Sequence, residues 1–183
     1  MKHAAAPNNV DIRALALANA QIAGSEPLLS SARLLAEILP EGAQAELVWD
    51  ARFETRPDAA GIAQPWMHLL VNVSLSLTCQ RCLGAVGVPV VVDRWFRFVQ
   101  SEQVAQQEDE VADEDVLVLE THFKLHDLIE DEVLLAMPLV PRHDECPGKL
   151  KLSAVDPDFE VAQAAKPKPF EALAALRSTK KGW

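Results

Sequence analysis

The 183 residues carry 27 Asp and Glu against 17 Lys and Arg, a formal net charge of −10, and 49% of them are hydrophobic. This is the balance of a globular chain long enough to bury one core without covalent staples, and it lacks the broad basic footprint expected of a protein that clamps duplex nucleic acid. With 3 cysteines, not all can pair within one chain, which disfavours a disulfide framework and leaves the thiols to metal, catalysis or packing.

In chain order, the alanine and leucine stretch of "MKHAAAPNNVDIRALALANAQIAG" is broken by Pro7, Asn8, Asn9, Asp11 and Arg13, so no signal-peptide core forms. No window approaches the roughly 18 uncharged apolar residues that cross a bilayer. The expectation is a cytoplasmic protein without a membrane partner. Helical spacing at Ile12, Leu15 and Ala16 fades before Gly24, so residues 1–27 read as a loosely ordered N-terminal segment. "SSARLLAEILPEG" reads as a short amphipathic helix. Ser30 or Ser31 is placed to accept from a helix N–H, Leu34, Leu35, Ile38 and Leu39 form the apolar face, and Pro40 with Gly42 stops it.

"AELVWDARFET", "PWMHLLVNVSLSLTC" and "GVPVVVDRWFRFVQ" alternate apolar and polar residues, as antiparallel strands with one wet face do. "TCQRCLG" then falls at the tip of a hairpin. Residues 101–132 hold twelve Asp or Glu and one Lys. The stretch 101–115 is hydrophilic and self-repelling, which predicts an acidic mobile loop before a further strand at "DVLVLE". "KLHDLIEDEVLLAMP" is the best helix of the chain, with Leu128, Ile129, Val133, Ala136 and Met137 on one face. Its acids Glu130, Asp131 and Glu132 suit the positive end of the helix, and Pro138 ends it. A proline-rich turn, "LVPRHDECPG", follows. Residues 153–183 form a C-terminal extension, modestly basic over 164–183, in which Pro169, Phe170, Leu173, Ala174 and Arg177 mark a short docking helix. The whole, 1–183, reads as a single α+β domain: an antiparallel β-sheet core with a few short packing helices.

Cys79-x-x-Cys82 and His143-x-x-Cys146 together supply the four donors of a closed Cys3His zinc site. Two intervening residues let both thiolates of a pair reach one ion from a tight turn, and Gly84 can aim N–H groups at sulfur. Structural zinc is the cofactor such a set would take. The competing reading packs the cysteines as small apolar groups, or leaves them free on the hairpin tip, with His143 solvated. Redox chemistry, with Arg81 lowering a thiol pKa, is disfavoured because "LGAVGVPVVV" continues as turn and strand rather than helix. His122, His126 and Glu130 recur at spacings of four, but His122 ends a strand. There is no glycine-rich phosphate loop, Gly-x-Ser-x-Gly or Walker pattern, and no enzyme is read here.

The ordered series "TCQRCLG", "HDLIEDEVLLAMPLVPRHDEC" and "KPKPFEALAALR" resembles the YceD family, the large ribosomal RNA subunit accumulation proteins, over roughly residues 66–178. Cys79 and Cys82 match its cysteine pair, and Glu130, Glu132, Leu134, Leu135 and Pro138 its acidic-apolar helix. His143 and Cys146 match the following segment, and Pro169 with Phe170 the terminal motif, here "KPKPF" where relatives often place Asn before Pro-Phe. The resemblance implies a non-enzymatic ribosome biogenesis factor supporting synthesis, processing or stability of large-subunit ribosomal RNA. The alternative function is a cytosolic thiol oxidoreductase using Cys79 and Cys82. For the first, a ribosomal protein or a pre-large-subunit particle is the expected partner, reached through the acidic loop and basic tail, and direct RNA contact is the less favoured route.

Overall fold

The computed structural model describes residues 6–58, 61–148, 156, 158, 159 and 170. The chain divides into two compact units, Met1–Cys146 and Pro147–Trp183. Among the described residues the hydrophobic core is assembled from positions up to Cys146, within the first unit of the 1–183 span read as one domain. The docking helix expected within 153–183 lies outside the described residues, apart from an exposed Phe170.

The first unit is an α+β fold built on a five-stranded sheet in the order β1 (Gln21–Pro27), β2 (Glu46–Pro57), β3 (Ala63–Thr78), β4 (Ala85–Val99) and β5 (Asp115–Val118). The first four strands pair antiparallel with their neighbours and β5 runs parallel to β4. In β3, Met67, Leu69, Val71, Val73, Leu75 and Leu77 all point to one face and are buried, as period-two alternation requires. Against that face lie α1 (Ile12–Leu17), α2 (Ala32–Glu37) and α4 (Leu125–Ala136), which contribute Ile12, Ala16, Leu34, Leu125, Ile129 and Val133 to the same core. In α4 the buried stripe is Leu125, Ile129 and Val133, one turn apart, whereas Ala136, expected on that face, is exposed. A fourth helix, α3 (Glu102–Asp109), connects β4 to β5. No described helix is long and apolar enough to cross a membrane.

Two segments differ from expectation. Within 1–27, α1 is capped by the Asp11 carboxylate, which accepts from the Ala14 N–H at 2.9 Å, and β1 pairs with β2 over its whole length. The strand was hidden because its buried positions are Gly24, Ser25 and Glu26, which carry no apolar alternation. Residues 101–115 form α3 and the start of β5 rather than an acidic loop. Ala105 buries against Val99 and Val116 in a small second cluster, and Arg97 pairs with both Glu108 and Glu114, offsetting the repulsion that composition alone predicts.

The cap of α2 also differs. Ser31 occupies the N-cap position but its side chain makes no capping bond. The Glu130 carboxylate, arriving from α4, accepts from the backbone N–H of Arg33 at 2.7 Å and of Leu34 at 3.2 Å, and pairs with the Arg33 guanidinium at 2.8 Å. Glu130 thus serves the positive end of α2 rather than of its own helix. After α2, the turn Pro40–Gly42 docks on β3, with the Leu39 N–H donating to the Ser76 carbonyl at 2.8 Å. A Cβ on Gly42 would stand 2.8 Å from the Ser76 Cβ, so only glycine fits this approach without a shift.

Candidate metal centre

The long β3–β4 hairpin delivers the first two candidate ligands. Beyond the paired Leu77 and Val86 its turn is closed by two 2.8 Å bonds, Cys79 N–H to the Gly84 carbonyl and Leu83 N–H to the Cys79 carbonyl. The left-handed residue of this turn is Leu83 (φ 60°), not the neighbouring glycine, a conformation that costs an L-residue roughly 1 kcal/mol. Gly84 contributes as expected through its N–H, which is directed at the Cys82 sulfur.

The second pair comes from the coil after α4. Pro138 forces Met137 into extended backbone (φ −63°, ψ 140°), ending the helix and sending the chain across the hairpin tip. There the Gln80 N–H donates to the Pro141 carbonyl at 2.8 Å. The Arg81 guanidinium donates to the carbonyls of His143 at 2.8 Å and Asp144 at 3.1 Å, and to the Cys146 sulfur at 3.1 Å. Arg81, first considered as the cation of a redox pair, is therefore the clamp between the two halves.

These contacts bring all four sequence-predicted residues together. Cys79 Sγ stands 3.9 Å from Cys146 Sγ and Cys82 Sγ stands 3.5 Å from His143 Nδ1, with the four donor atoms all within 4.8 Å of one another. A tetrahedral ion with bonds of about 2.3 Å to sulfur sets its donors roughly 3.8 Å apart, so the spacing and the donor chemistry suit a four-coordinate soft metal. The sulfurs are too far apart for a disulfide, and all 3 cysteines are free. Cys79 is buried, whereas Cys82, His143 and Cys146 are half-buried.

Burial pushes the Cys79 thiol up, but N–H groups of His143, Arg81 and Cys82 directed at its sulfur outweigh that and bring it down to about 5. Cys82 moves the other way. The Gly84 N–H lowers it, but burial and the adjacent Cys146 and Cys79 sulfurs together raise it. One thiolate is thus prepared in the bare cluster, and Cys82 resists ionising beside it, as expected of like charges that lack a shared cation. The set can hold a metal ion with every coordination position filled by protein. It offers poor geometry for thiol exchange, since Cys79 is fully enclosed and the chain after Cys82 enters β4 rather than a helix.

The discounted histidine series does not converge. His122 Nδ1 pairs with the Asn9 side chain at 2.9 Å, His126 lies 3.8 Å from the Glu26 carboxylate, and Glu130 is engaged by Arg33. The sequence reading missed a group on the outer sheet face, where Arg56 lies over the rings of Trp66 and Trp95 and His68 stacks on Trp95. The alternating "PWMHL" and "DRWFR" carried the signal, since period two places Trp66, His68 and Trp95 on the wet side.

Fold and site together define a small α+β protein whose longest hairpin is tied at its tip to a proline turn through a Cys3His cluster. Residues 67–177 match the family model described as Large ribosomal RNA subunit accumulation protein YceD, a span that takes in all four cluster residues. The chain belongs to this YceD family. No solved structure matches it.

Proposed function

We propose that this protein is a non-enzymatic ribosome biogenesis factor, cytoplasmic, that supports the synthesis, processing or stability of large-subunit ribosomal RNA. The observation that supports the reading is the family match over residues 67–177, whose description names large ribosomal RNA subunit accumulation. Its partner is a ribosomal protein or a pre-large-subunit particle, and the net charge of −10 favours protein contacts over phosphate contacts. The Cys3His group holds a structural zinc through Cys79, Cys82, Cys146 and His143. Zinc supplies no reaction there: with three thiolates and a neutral imidazole the centre carries one net negative charge, which Arg81 at 3.1 Å from the Cys146 sulfur offsets. Its work is to fix the hairpin tip against the turn.

The test is depletion of the protein in its own cells, followed by the ratio of large-subunit to small-subunit ribosomal RNA. The ratio falls and wild-type protein restores it; an unchanged ratio refutes the role. The low pKa of Cys79 favours thiol exchange as a second reading, which insulin-disulfide reduction by the purified, metal-free protein examines. The binding reading expects no reduction above a Cys79→Ser control.

A further inference from the structure

All three core-packing helices cover one face of the sheet; among the described residues the opposite face meets a helix at its β4–β5 edge, where Glu108 of α3 pairs with Arg97 and Ala105 packs on Val99 and Val116. Along its rows stand Glu54, Trp66 and Arg97, then Arg52, His68 and Trp95, then Asp50, Leu70 and Asp93. Trp66 and Trp95 meet edge to face with centroids 6.3 Å apart, and the Arg56 guanidinium carbon sits 4.3 Å from one ring centroid and 4.0 Å from the other. His68 stacks on Trp95 at 4.4 Å and bonds to Asp93 at 2.6 Å. A guanidinium lying on two indoles at this distance is attracted by both ring faces.

Trp66 separates two clefts, of about 400 and 610 Å³. The charged side chains of the smaller are Asp93, Asp113, Glu114 and Asp115 against Arg56 and Arg94. Those of the larger are Asp58, Glu108, Asp113 and Glu114 against Arg97 alone. The arginines of this face are engaged by carboxylates: Arg52 by Asp50, Arg56 by Glu54, and Arg97 by Glu108 and Glu114. The surface around the indoles therefore presents a net negative charge. A nucleic acid strand would find stacking rings but would meet carboxylates where its phosphates need cations.

We infer that the outer face of β2–β4 is a docking surface for an arginine-rich protein segment, whose guanidinium groups take the place on Trp66 and Trp95 that Arg56 now holds. This rests on the reading of the protein as a binding factor and names the chemistry of its partner. Arg56 acts as an internal stand-in. When a partner arginine enters, Arg56 leaves the rings for solvent while Glu54 remains its partner, and the carboxylates of the two clefts receive the flanking cations.

The experiment is fluorescence anisotropy of a labelled arginine-rich peptide and, separately, of a single-stranded RNA of equal length, titrated with the full chain. Direct binding is measured, so its failure is distinguishable from failure of the ribosomal RNA role, which is read in depleted cells. The peptide binds and the RNA binds more weakly. Trp95→Ala weakens peptide binding by about tenfold. An Asp93→Asn/Asp113→Asn variant, altered only at exposed side chains, also weakens it, so the result does not depend on the tryptophan variant folding. Arg56→Ala strengthens peptide binding, because it vacates the ring pair. RNA that binds more tightly than the peptide, an Arg56→Ala variant that loses peptide affinity, or peptide binding indifferent to all three changes overturns the proposal.

Discussion

The two ends of the β3–β4 hairpin are held by different chemistry. At the base, Met67, Leu69, Phe96 and Phe98 are buried beneath the helices, and Phe98 packs edge to face on Phe123 at 5.3 Å. At the tip, past Leu77 and Val86, Cys79 is the one buried side chain of residues 79–85, and three donors stand around it. The base has enough apolar area to hold itself by burial, at about 1.5–3 kcal/mol for each large side chain removed from water. The tip does not, and its order depends on sulfur, imidazole and the Arg81 clamp. Position is therefore set at one end by area and at the other by directed bonds.

Removing the tip's cross-link is expected to have the largest effect. With zinc about a thousandfold above its dissociation constant, binding to the folded state alone adds about 4 kcal/mol. Chelated wild type and Cys82→Ser should both lose about that much and then melt together. If chelation leaves the thermal midpoint unmoved, the tip is not held by metal.

Next comes the junction of α2 and α4, a polar anchor that lies on the buried face. Glu130→Ala removes the acceptor of two N–H groups and the partner of Arg33, and a loss of about 2–3 kcal/mol in urea unfolding is expected. Burial raises the Glu130 pKa, but the Arg33 guanidinium and the N–H groups of Leu34 and Arg33 prevail and lower it. Its contribution is thus fully present above the ordinary carboxylate range of about 4.3 and is lost as pH falls through the depressed value. Glu132 behaves oppositely. Burial raises its pKa, so stability is highest while it is protonated and falls as pH rises through the folded value. Acid titration of Glu130→Gln should therefore flatten the low-pH loss, and Glu132→Gln should remove a neutral-pH penalty. Identical pH profiles for both variants and wild type would contradict the pairings.

Smaller effects sharpen the same contrast between area and directed contact. Gly42→Ala forces a methyl against the Ser76 Cβ and should cost about 1–3 kcal/mol, read from the denaturation midpoint. Ser31→Ala should cost less than about 0.5 kcal/mol, below the ~1 kcal/mol of a working serine cap, because Glu130 does the capping. A full cap penalty at Ser31 would reverse that assignment.

The base of the hairpin was legible because alternation in "MHLLVNVSLSL" and in "DRWFRF" encodes which face is buried. The four cluster residues were legible from donor type and short spacing, even though Cys82 and His143 stand 61 positions apart. What the sequence concealed depends on distant partners. Glu130 reads as a helix-start acid until folding brings Arg33, 97 positions away, to it. The acids of 101–115 read as repulsive until Arg97 is placed between Glu108 and Glu114. β1 lacks a period because an edge strand can bury Ser25 and Glu26 in place of apolar residues.

The central claim is that the tip is a metal centre, and elemental mass spectrometry of untagged, reduced protein tests it most directly. About one zinc per chain in the wild type, absent from Cys82→Ser, is the predicted result. Wild-type protein without zinc, or a variant that keeps it, would contradict the account and leave the hairpin tip held by hydrogen bonds alone.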